Sequence, residues 1–398
     1  MVTTQRLEPG MTVGNEYRIA RLVARGGTAA VYAAERVSDG AECALKVMHA
    51  ELAQDTRQRE RFFKGAELSG KVESEHVARI FNTGEDEATG RPWIAMEFLQ
   101  GDDLEKVLKQ RGALPLREVY WILRQVCDGV AAGHRQGVVH RDLKPQNILL
   151  VPVPCRGAPY TVKVLDFGIS KVAREDGTDT TLAFGTPLWM APEQAHKGKL
   201  TPAADVWSLG LLAFQMITGR HYWKSANESQ VLLKEVLSEL LMQSIDPASE
   251  RARELGGVMP PEGFDAWFAR AVSRTVGDRF KDAGEAFESL TPVLASAVRR
   301  TNSSSSGVSA LRAPTQPALG GPSPPGTGAT ESPRPSKASL PPFPSPALAA
   351  EEGAREVAPA DVTAPTPRAT SPQQGFYLAA AVVLLVLVAA VAVLLTRR

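Results

Sequence analysis

The chain has 398 residues, enough for two or more domains that each bury a core. Its 45 basic and 44 acidic residues nearly cancel, so no bulk electrostatic field favours nucleic acid as a partner. The three cysteines are widely spaced and form no C-x-x-C pair, which argues against a disulfide framework or structural zinc and fits a reducing compartment.

The first third of the chain has a strand-like pattern. Residues 1–16 contain no apolar run of signal-peptide length, and we treat them as an N-terminal extension of a chain that starts in the cytoplasm. The runs YRIARLV, AAVYAAERV and AECALKVMH follow, and Asp39-Gly40 between the last two is a strong hairpin signal. A helical pattern from about Asp55 to Val72 and two more short runs complete a predicted small β-rich lobe with one helix.

The turn within the first hairpin reads as an incomplete phosphate-binding loop. Against the pattern G-x-G-x-x-G-x-V, the stretch LVARGGTAAVY has a glycine only at the middle position, Gly26. Ala24 and Ala29 stand where the outer glycines belong. A glycine-rich turn that opens a hairpin is most often only a turn, so other motifs must decide what this one does.

From about Asp103 the pattern is mainly helical. Four motifs, one before this point and three after it, follow one another at plausible intervals along the chain. They are CALKV around Lys46, VHRDLKPQNIL from residue 139, LDFG from residue 165 and MAPE from residue 190. On these motifs the chain resembles the eukaryotic-type Ser/Thr protein kinases, specifically the bacterial membrane-anchored branch. The resemblance covers about Tyr17 to Leu294 and implies an α+β, two-lobed kinase fold, with a β-rich N-lobe at 17–99 and an α-rich C-lobe at 100–297.

The resemblance implies ATP and Mg²⁺ (or Mn²⁺) as cofactors and assigns roles to the catalytic residues. Lys46 would contact the α- and β-phosphates of ATP. Asp166 and Asn147 would bind the metal ions. Asp142 would accept or orient the proton of the substrate hydroxyl, and Lys144 would contact the γ-phosphate.

The remaining nucleotide contacts are also implied by the resemblance. The helix glutamate that pairs with Lys46 is assigned to Glu67, nine residues before His76, with Glu60 and Glu73 as alternatives. The adenine edge would pair with backbone at Glu97 and Leu99, with Met96 guarding the deeper pocket. The residues expected around the phosphates and the adenine are Val23, Ala24, Arg25, Gly26, Gly27, Thr28, Ala29, Ala30 and Val31.

Other residues are expected to act as scaffold or in regulation. Asp205 would brace the catalytic-loop backbone, and Glu193 would form a buried ion pair with Arg279. Thr178 and Thr180, ahead of Thr181, are the predicted activation-loop phosphosites, because Arg141 next to Asp142 is typical of kinases that clamp such a phosphate. Thr186 would lie at the pocket for the acceptor residue.

The C-terminal quarter changes composition. Residues 298–375 are rich in Ser, Pro, Ala and Gly and are predicted to be a disordered linker. Residues 376–395 are uncharged and apolar, and as a helix they would span about 30 Å, the thickness of the hydrocarbon core. They predict a single-pass anchor in the inner membrane, followed by a short tail at 396–398 and with the kinase domain in the cytoplasm.

Two functions from different classes remain. The first is an active Ser/Thr kinase whose partners are ATP, protein substrates and the membrane, with regulation through the linker, cytoplasmic proteins or homodimerisation. The second is a pseudokinase, a scaffold that binds nucleotide without efficient catalysis. Pseudokinases usually lack a residue of the Lys46, Asp142 or Asp166 type, and all three are present here, so the sequence favours the active kinase. A small-molecule kinase on the same fold is disfavoured by the G-T-P and A-P-E elements.

Overall fold

The structure, a computed structural model, describes residues 6–152, 160–167, 188–195 and 200–307, with side chains up to residue 299. In these ranges no helix combines the length and the apolar character needed to cross a membrane. The predicted transmembrane segment, 376–395, lies outside them, as does most of the predicted linker.

A six-stranded antiparallel sheet forms the N-lobe, with the strand order β1-β2-β3-β4-β6-β5. The Asp39-Gly40 hairpin predicted from the sequence joins β3 to β4, and Gly40 has a φ of +72°, which a glycine adopts without strain. The strands are β1 Thr12–Val13, β2 Tyr17–Arg25, β3 Ala29–Arg36, β4 Glu42–Met48, β5 Ile80–Glu85 and β6 Pro92–Met96.

One face of this sheet is covered by helix α2, Thr56–Gly70, which follows the short helix α1, Ala50–Ala53. Asp55 caps α2, because its carboxylate accepts the backbone N–H groups of Arg57 and Gln58 at 2.9 and 3.3 Å. The helix packs by Phe62 and Ala66 against a cluster that includes Ala29, Met48 and Ile94 of the sheet.

The N-terminal extension belongs to the lobe. Leu7 and Val13 are buried in the core on the other side of the sheet, together with Tyr17 and Trp93. The backbone N–H of Leu7 donates to the Tyr32 hydroxyl at 3.4 Å. The predicted boundary at residue 17 therefore cuts through a packed unit, because β1 is an edge strand of the same sheet.

The C-lobe is mainly helical around a small three-stranded sheet of order β7-β8-β9. Helix α5 is buried along its whole length and forms the centre of the lobe. The strands are β7 Asp102–Asp103, β8 Ile148–Pro152 and β9 Tyr160–Val164, and the helices are α3 Leu104–Arg111, α4 Leu116–Arg135, α5 Ala203–Thr218, α6 Leu233–Met242, α7 Ala248–Glu254, α8 Phe264–Ala271 and α9 Ala283–Gly307.

Backbone hydrogen bonds connect the N-lobe to the small sheet of the C-lobe. The segment after α2 pairs with β9, since Val164 N–H donates to His76 O at 2.7 Å and Ala78 N–H donates to Val164 O at 3.1 Å. The N-lobe is thus attached to the strand that leads to Asp166.

The last helix extends further than the sequence predicts. Helix α9 continues to Gly307, so residues 298–307, which are predicted above to belong to the linker, are helical.

Candidate active site

The catalytic loop between α4 and β8 contains a strained residue. Arg141 has a φ of +67°, in the left-handed region that non-glycine residues rarely adopt. Asp166, after β9, is also left-handed, with a φ of +61°. Such conformations persist where the surroundings hold them, and they cluster at functional sites.

Asp205, near the start of α5, holds the catalytic loop. Its carboxylate accepts the backbone N–H groups of His140 at 2.7 Å and Arg141 at 2.8 Å, and it lies 2.9 Å from His134 Nε2. Burial alone would raise the pKa of Asp205, but the hydrogen bond and charge of His134, with a further contribution from His140, hold it below its ordinary value. The predicted brace is confirmed, and its role is to fix the backbone that presents Asp142.

The side chains of the catalytic loop lie in mutual contact. Lys144 Nζ donates to Asp142 Oδ2 at 2.7 Å. Asn147 Nδ2 donates to the backbone carbonyl of Asp142 at 2.8 Å, which leaves Oδ1 as the amide atom available to a cation. The HRDLKPQN stretch therefore brings a carboxylate, an ammonium group and a carboxamide together within one loop.

Lys46 and Asp166 come from different lobes and meet across the cleft. Lys46 Nζ donates to Asp166 Oδ1 at 2.7 Å, with the lysine side chain 10% exposed and the aspartate side chain 34% exposed. Leu165 N–H donates to Asn147 O at 2.8 Å, which ties the segment bearing Asp166 to the catalytic loop. The structure thus places Lys46, Asp142, Lys144, Asn147 and Asp166 in one region.

The glycine-rich loop is a tight turn between β2 and β3. Gly26 N–H donates to Ala29 O at 2.9 Å, and His49 Nε2 lies 2.8 Å from Gly26 O. Ala24 pairs with Val31 and Ala29 pairs with Met48 in the ladders, both with ordinary backbone angles. The two alanines therefore cause no backbone strain, and Ala29 contributes to the cluster under α2.

The other predicted loop residues lie around this turn. Residues 23–27 are exposed, whereas Ala30 is buried in the core on the far side of the sheet. Val31 is directly opposite Lys46 in the β3–β4 ladder, so the two side chains stand on the same face. That placement suits Val31 for contact with a nucleotide base held near Lys46.

The lobe connection is held by an ion pair that the sequence analysis missed. Met96 ends β6, and the backbone of Glu97 and Leu99, predicted to pair with adenine, lies between the two sheets. The Glu97 carboxylate accepts from Lys163 Nζ at 3.0 and 2.9 Å, and Glu97 N–H donates to Arg79 O at 2.8 Å. Lys163 is on β9, so this pair links the connection to the C-lobe sheet.

The assignment of Glu67 as the partner of Lys46 is wrong in this structure. Glu67 is exposed and pairs with Lys64 at 2.9 Å and Lys71 at 2.7 Å on the outer face of α2. The hydrogen bonds from Lys71 and Lys64 lower the pKa of Glu67 to about 2. The alternatives Glu60 and Glu73 are also exposed. The buried face of α2 carries Phe62, Gly65, Ala66 and Ser69, none of which has a carboxylate.

The segment between Asp166 and Glu193 is described only at its ends. Thr178, Thr180 and Thr186 lie outside the described residues. At the far end, the predicted pair of Glu193 with Arg279 is confirmed, because Arg279 Nη1 and Nη2 donate to the two carboxylate oxygens at 2.7 and 2.8 Å.

The oxygen ligands at the site fit a divalent cation. Among the described residues, no group of three or more His, Cys, Asp and Glu side chains could hold a metal without help from other ligands. Mg²⁺ usually binds one or two carboxylates together with phosphate oxygens and water, rather than a cage made only of protein groups. Asp166 and the Oδ1 of Asn147 are hard ligands of the required kind, so these two residues would hold the cation.

Comparison with known proteins identifies the fold and the family. A solved structure of the PknI kinase domain from Mycobacterium tuberculosis superposes with a TM-score of 0.55 at 23% identity, covering 72% of this chain and 99% of that domain. At this identity the likeness shows the fold. The family model for the protein kinase domain matches residues 17–276.

Several bacterial kinases are similar to this chain in sequence. PknL of M. tuberculosis, a serine/threonine-protein kinase, is 32% identical over 271 residues, which are 68% of this chain and 63% of PknL. The serine/threonine-protein kinase Pkn1 of Myxococcus xanthus is 41% identical over 206 residues, 51% of this chain and 29% of Pkn1. The chain thus spans less than two thirds of the length of these relatives. Because the family model matches more than half of the chain, the chain belongs to the protein kinase domain family, in the branch of bacterial serine/threonine kinases.

Proposed function

We propose that this protein is a Ser/Thr protein kinase that transfers the γ-phosphate of ATP to serine or threonine hydroxyls of other proteins. The observation that carries the proposal is the convergence of Lys46, Asp142, Lys144, Asn147 and Asp166 from both lobes. Phosphoryl transfer needs little covalent chemistry from a protein, and it depends on positioned charges of this kind.

Each side chain has a role that follows from its position. Lys46 neutralises charge on the α- and β-phosphates, since it is the cation on the sheet face beside Val31. Asp142 accepts or orients the proton of the acceptor hydroxyl, and Lys144, 2.7 Å away, offers its ammonium group to the transferred phosphate. Asp205 holds the backbone of this loop without contacting the substrates.

The cofactors we propose are ATP and Mg²⁺, with Mn²⁺ as the substitute. The cation, held by Asp166 and Asn147, supplies positive charge to the phosphate oxygens when it is bound. The protein's own contribution is to hold the carboxylate of Asp166 in place, through the left-handed backbone at that residue and the bond from Leu165 N–H to Asn147 O.

Incubation with a cell lysate tests the proposed acceptor class. The full-length protein in detergent, with ATP and Mg²⁺, should phosphorylate a limited set of proteins, and mass spectrometry should map the new phosphates to serine and threonine. A lysate without ATP and a sample with Lys46→Met are the controls. Phosphate found on tyrosine alone, or on no protein, would rule out the acceptor class proposed here.

We further propose that autophosphorylation at Thr178 or Thr180 activates the enzyme. Arg141 supports this, because its Nε is buried and has no hydrogen-bond partner among the residues that the structure describes. A phosphothreonine could supply that partner by a charge-assisted hydrogen bond. Replacing both threonines with alanine should lower kcat/KM on the order of tenfold, a typical coupling between two sites.

Intact-mass and peptide mass spectrometry of the active protein check this prediction. Serine substitutions at both threonines are the matched control, since they keep an acceptor hydroxyl and should keep the activity. Phosphate confined to the serines at 303–306, near the end of α9, in a fully active sample would speak against the activation loop as the regulatory site.

The membrane anchor is also a proposal. Residues 376–395 are long and apolar enough for a helix of about 30 Å, so the protein should fractionate with membranes and resist extraction by alkali or high salt. Deletion of residues 375–398 should release an active protein, because the linker is expected to uncouple the anchor from the catalytic domain. Full-length protein that stays in the supernatant without detergent would contradict the anchor.

A further inference from the structure

The position of Lys46 on the sheet determines which groups can hold it. In the β-ladders Lys46 is opposite Val31 on one side and Ile94 on the other. Ile94 and Met48, two residues further along β4 on the same face, belong to the cluster under α2. Lys46 therefore projects from the face of the sheet that α2 covers, and a residue on the inner face of α2 is the one that could reach it.

The inner face of α2, which is the face formed by its buried residues, carries no aspartate or glutamate that could pair with Lys46. Its buried residues recur at helical spacing, with Gly65 three residues after Phe62 and four residues before Ser69. Glycine costs about 1 kcal/mol relative to alanine inside a helix. The chain thus carries an unfavourable residue at the middle of the buried face of α2.

Rotation of the helix would not bring Glu67 inward. Successive residues are about 100° apart around a helix, so Glu67 points about 200° away from Gly65. Turning it toward Lys46 would expose Phe62 and Ala66, each of which is 2% exposed in the cluster with the sheet. The rotational position of α2 is also fixed by its first turn, where Asp55 caps it and Arg59 donates to Gly90 O at 3.1 Å.

We infer that Lys46 is positioned by Asp166 and not by a glutamate of α2, and that Gly65 stands where a carboxylate on α2 would reach Lys46. This inference rests on the proposed function. Asp166 is the acid paired with Lys46 among the described residues, at 2.7 Å. The same carboxylate is the proposed metal ligand, so positioning of the lysine and binding of the cation compete for one group. The ammonium group of Lys46 offsets part of the negative charge that Asp166 offers to the cation.

A carboxylate added at position 65 should relieve that competition. In an Asp142→Asn background, which stops chemistry, the Kd of ATP at saturating Mg²⁺ is measured by calorimetry on the full chain in detergent. Gly65→Glu should bind ATP about threefold to fivefold more tightly than Gly65→Gln, the upper part of the range measured for single ion pairs near a protein surface. The two variants have nearly the same shape and differ in charge. Gly70→Glu, at the exposed end of the same helix, should bind like the parent.

The second part of the experiment changes Glu67, the residue that the sequence predicts as the partner of Lys46. Glu67→Gln should leave the Kd within about twofold of the parent, the range expected for a solvated pair, whereas Lys46→Met should weaken it strongly. A loss with Glu67→Gln as large as that with Lys46→Met would overturn the inference. So would a folded Gly65→Glu that binds no more tightly than Gly65→Gln.

Circular dichroism establishes whether each variant folds. If Gly65→Glu does not fold, the comparison of Glu67→Gln with Lys46→Met alone decides the question. Because binding is measured without turnover, these results are independent of whether the parent protein transfers phosphate. A parent that binds ATP but transfers nothing would refute the proposed function and still leave the role of Gly65 tested.

Discussion

Asp142→Asn should lower kcat for phosphate transfer by about 10³-fold, the effect expected for loss of a positioned general base. The substitution keeps the shape of the side chain and removes its charge. The neighbouring groups, Lys144 Nζ at 2.7 Å and Asn147 Nδ2 at 3.4 Å from Oδ2, can still donate to the amide oxygen. The loop backbone is held by Asp205, so the KM for ATP and the melting temperature should change little.

Steady-state transfer to a protein acceptor measures this effect. Asp128→Asn is the matched control, because Asp128 is an exposed carboxylate on α4, loosely paired with Arg124 at 4.0 Å. Its rate should equal that of the parent. If Asp142→Asn keeps more than a tenth of the parent rate, Asp142 is not the residue that handles the proton of the acceptor.

Glu193→Gln should lower the free energy of unfolding by about 3 kcal/mol, because it leaves a buried guanidinium without its counter-charge. The Arg279 side chain is fully buried, and its Cζ lies 5.0 Å from the centre of the Trp207 ring. Arg279 also donates to the backbone carbonyls of Ala203 at 2.8 Å and Ser273 at 2.6 Å. These bonds remain in the variant, whereas the charge on Arg279 loses its compensation.

Urea unfolding followed by fluorescence checks this value. Asp102→Asn is the control, because Asp102 pairs with Lys106 at 2.6 Å on the surface, with both side chains about half exposed. That change should cost less than about 1 kcal/mol. Equal losses for the two variants would mean that the Glu193–Arg279 pair contributes no more than a surface pair.

The parts of the candidate site whose proximity could be predicted from the sequence are short and contiguous. Asp142, Lys144 and Asn147 lie within one loop, and their spacing alone brings them together. The hairpin at Asp39-Gly40 and the helix that begins near Asp55 are equally local, since turn and helix patterns act over a few residues. Asp205 and Arg279 lie far from their partners in sequence, and they could be assigned because each sits in a recognisable motif.

Glu67 shows where the sequence reasoning failed and why. Its distance from His76 favours Glu67 as the partner of Lys46, but that distance carries no information on the rotational position of the helix. Phe62 and Ala66 are four residues apart and form the buried face, and the helical period then places Glu67 outside. The sequence RERFFKGAELSG therefore already contains the apolar spacing that places Glu67 on the outer face.

Other features had no local signal. Glu97 and Lys163 are 66 residues apart, and only the packing of β9 behind the lobe connection brings them together. The burial of Leu7 likewise depends on the core formed by Tyr17 and Trp93. Isolated charged or apolar residues of this kind are common on any surface, so the fold was needed to show their partners.

The most direct test of the account is the identity of the phosphorylated amino acid. Full-length protein is incubated with Mg²⁺ and ATP labelled in the γ-phosphate, and acid hydrolysis then separates the labelled residues. We expect phosphoserine or phosphothreonine from the parent protein and no label above background from Asp142→Asn. A parent protein that binds ATP but yields no labelled amino acid would contradict it, and would make the chain a nucleotide-binding scaffold.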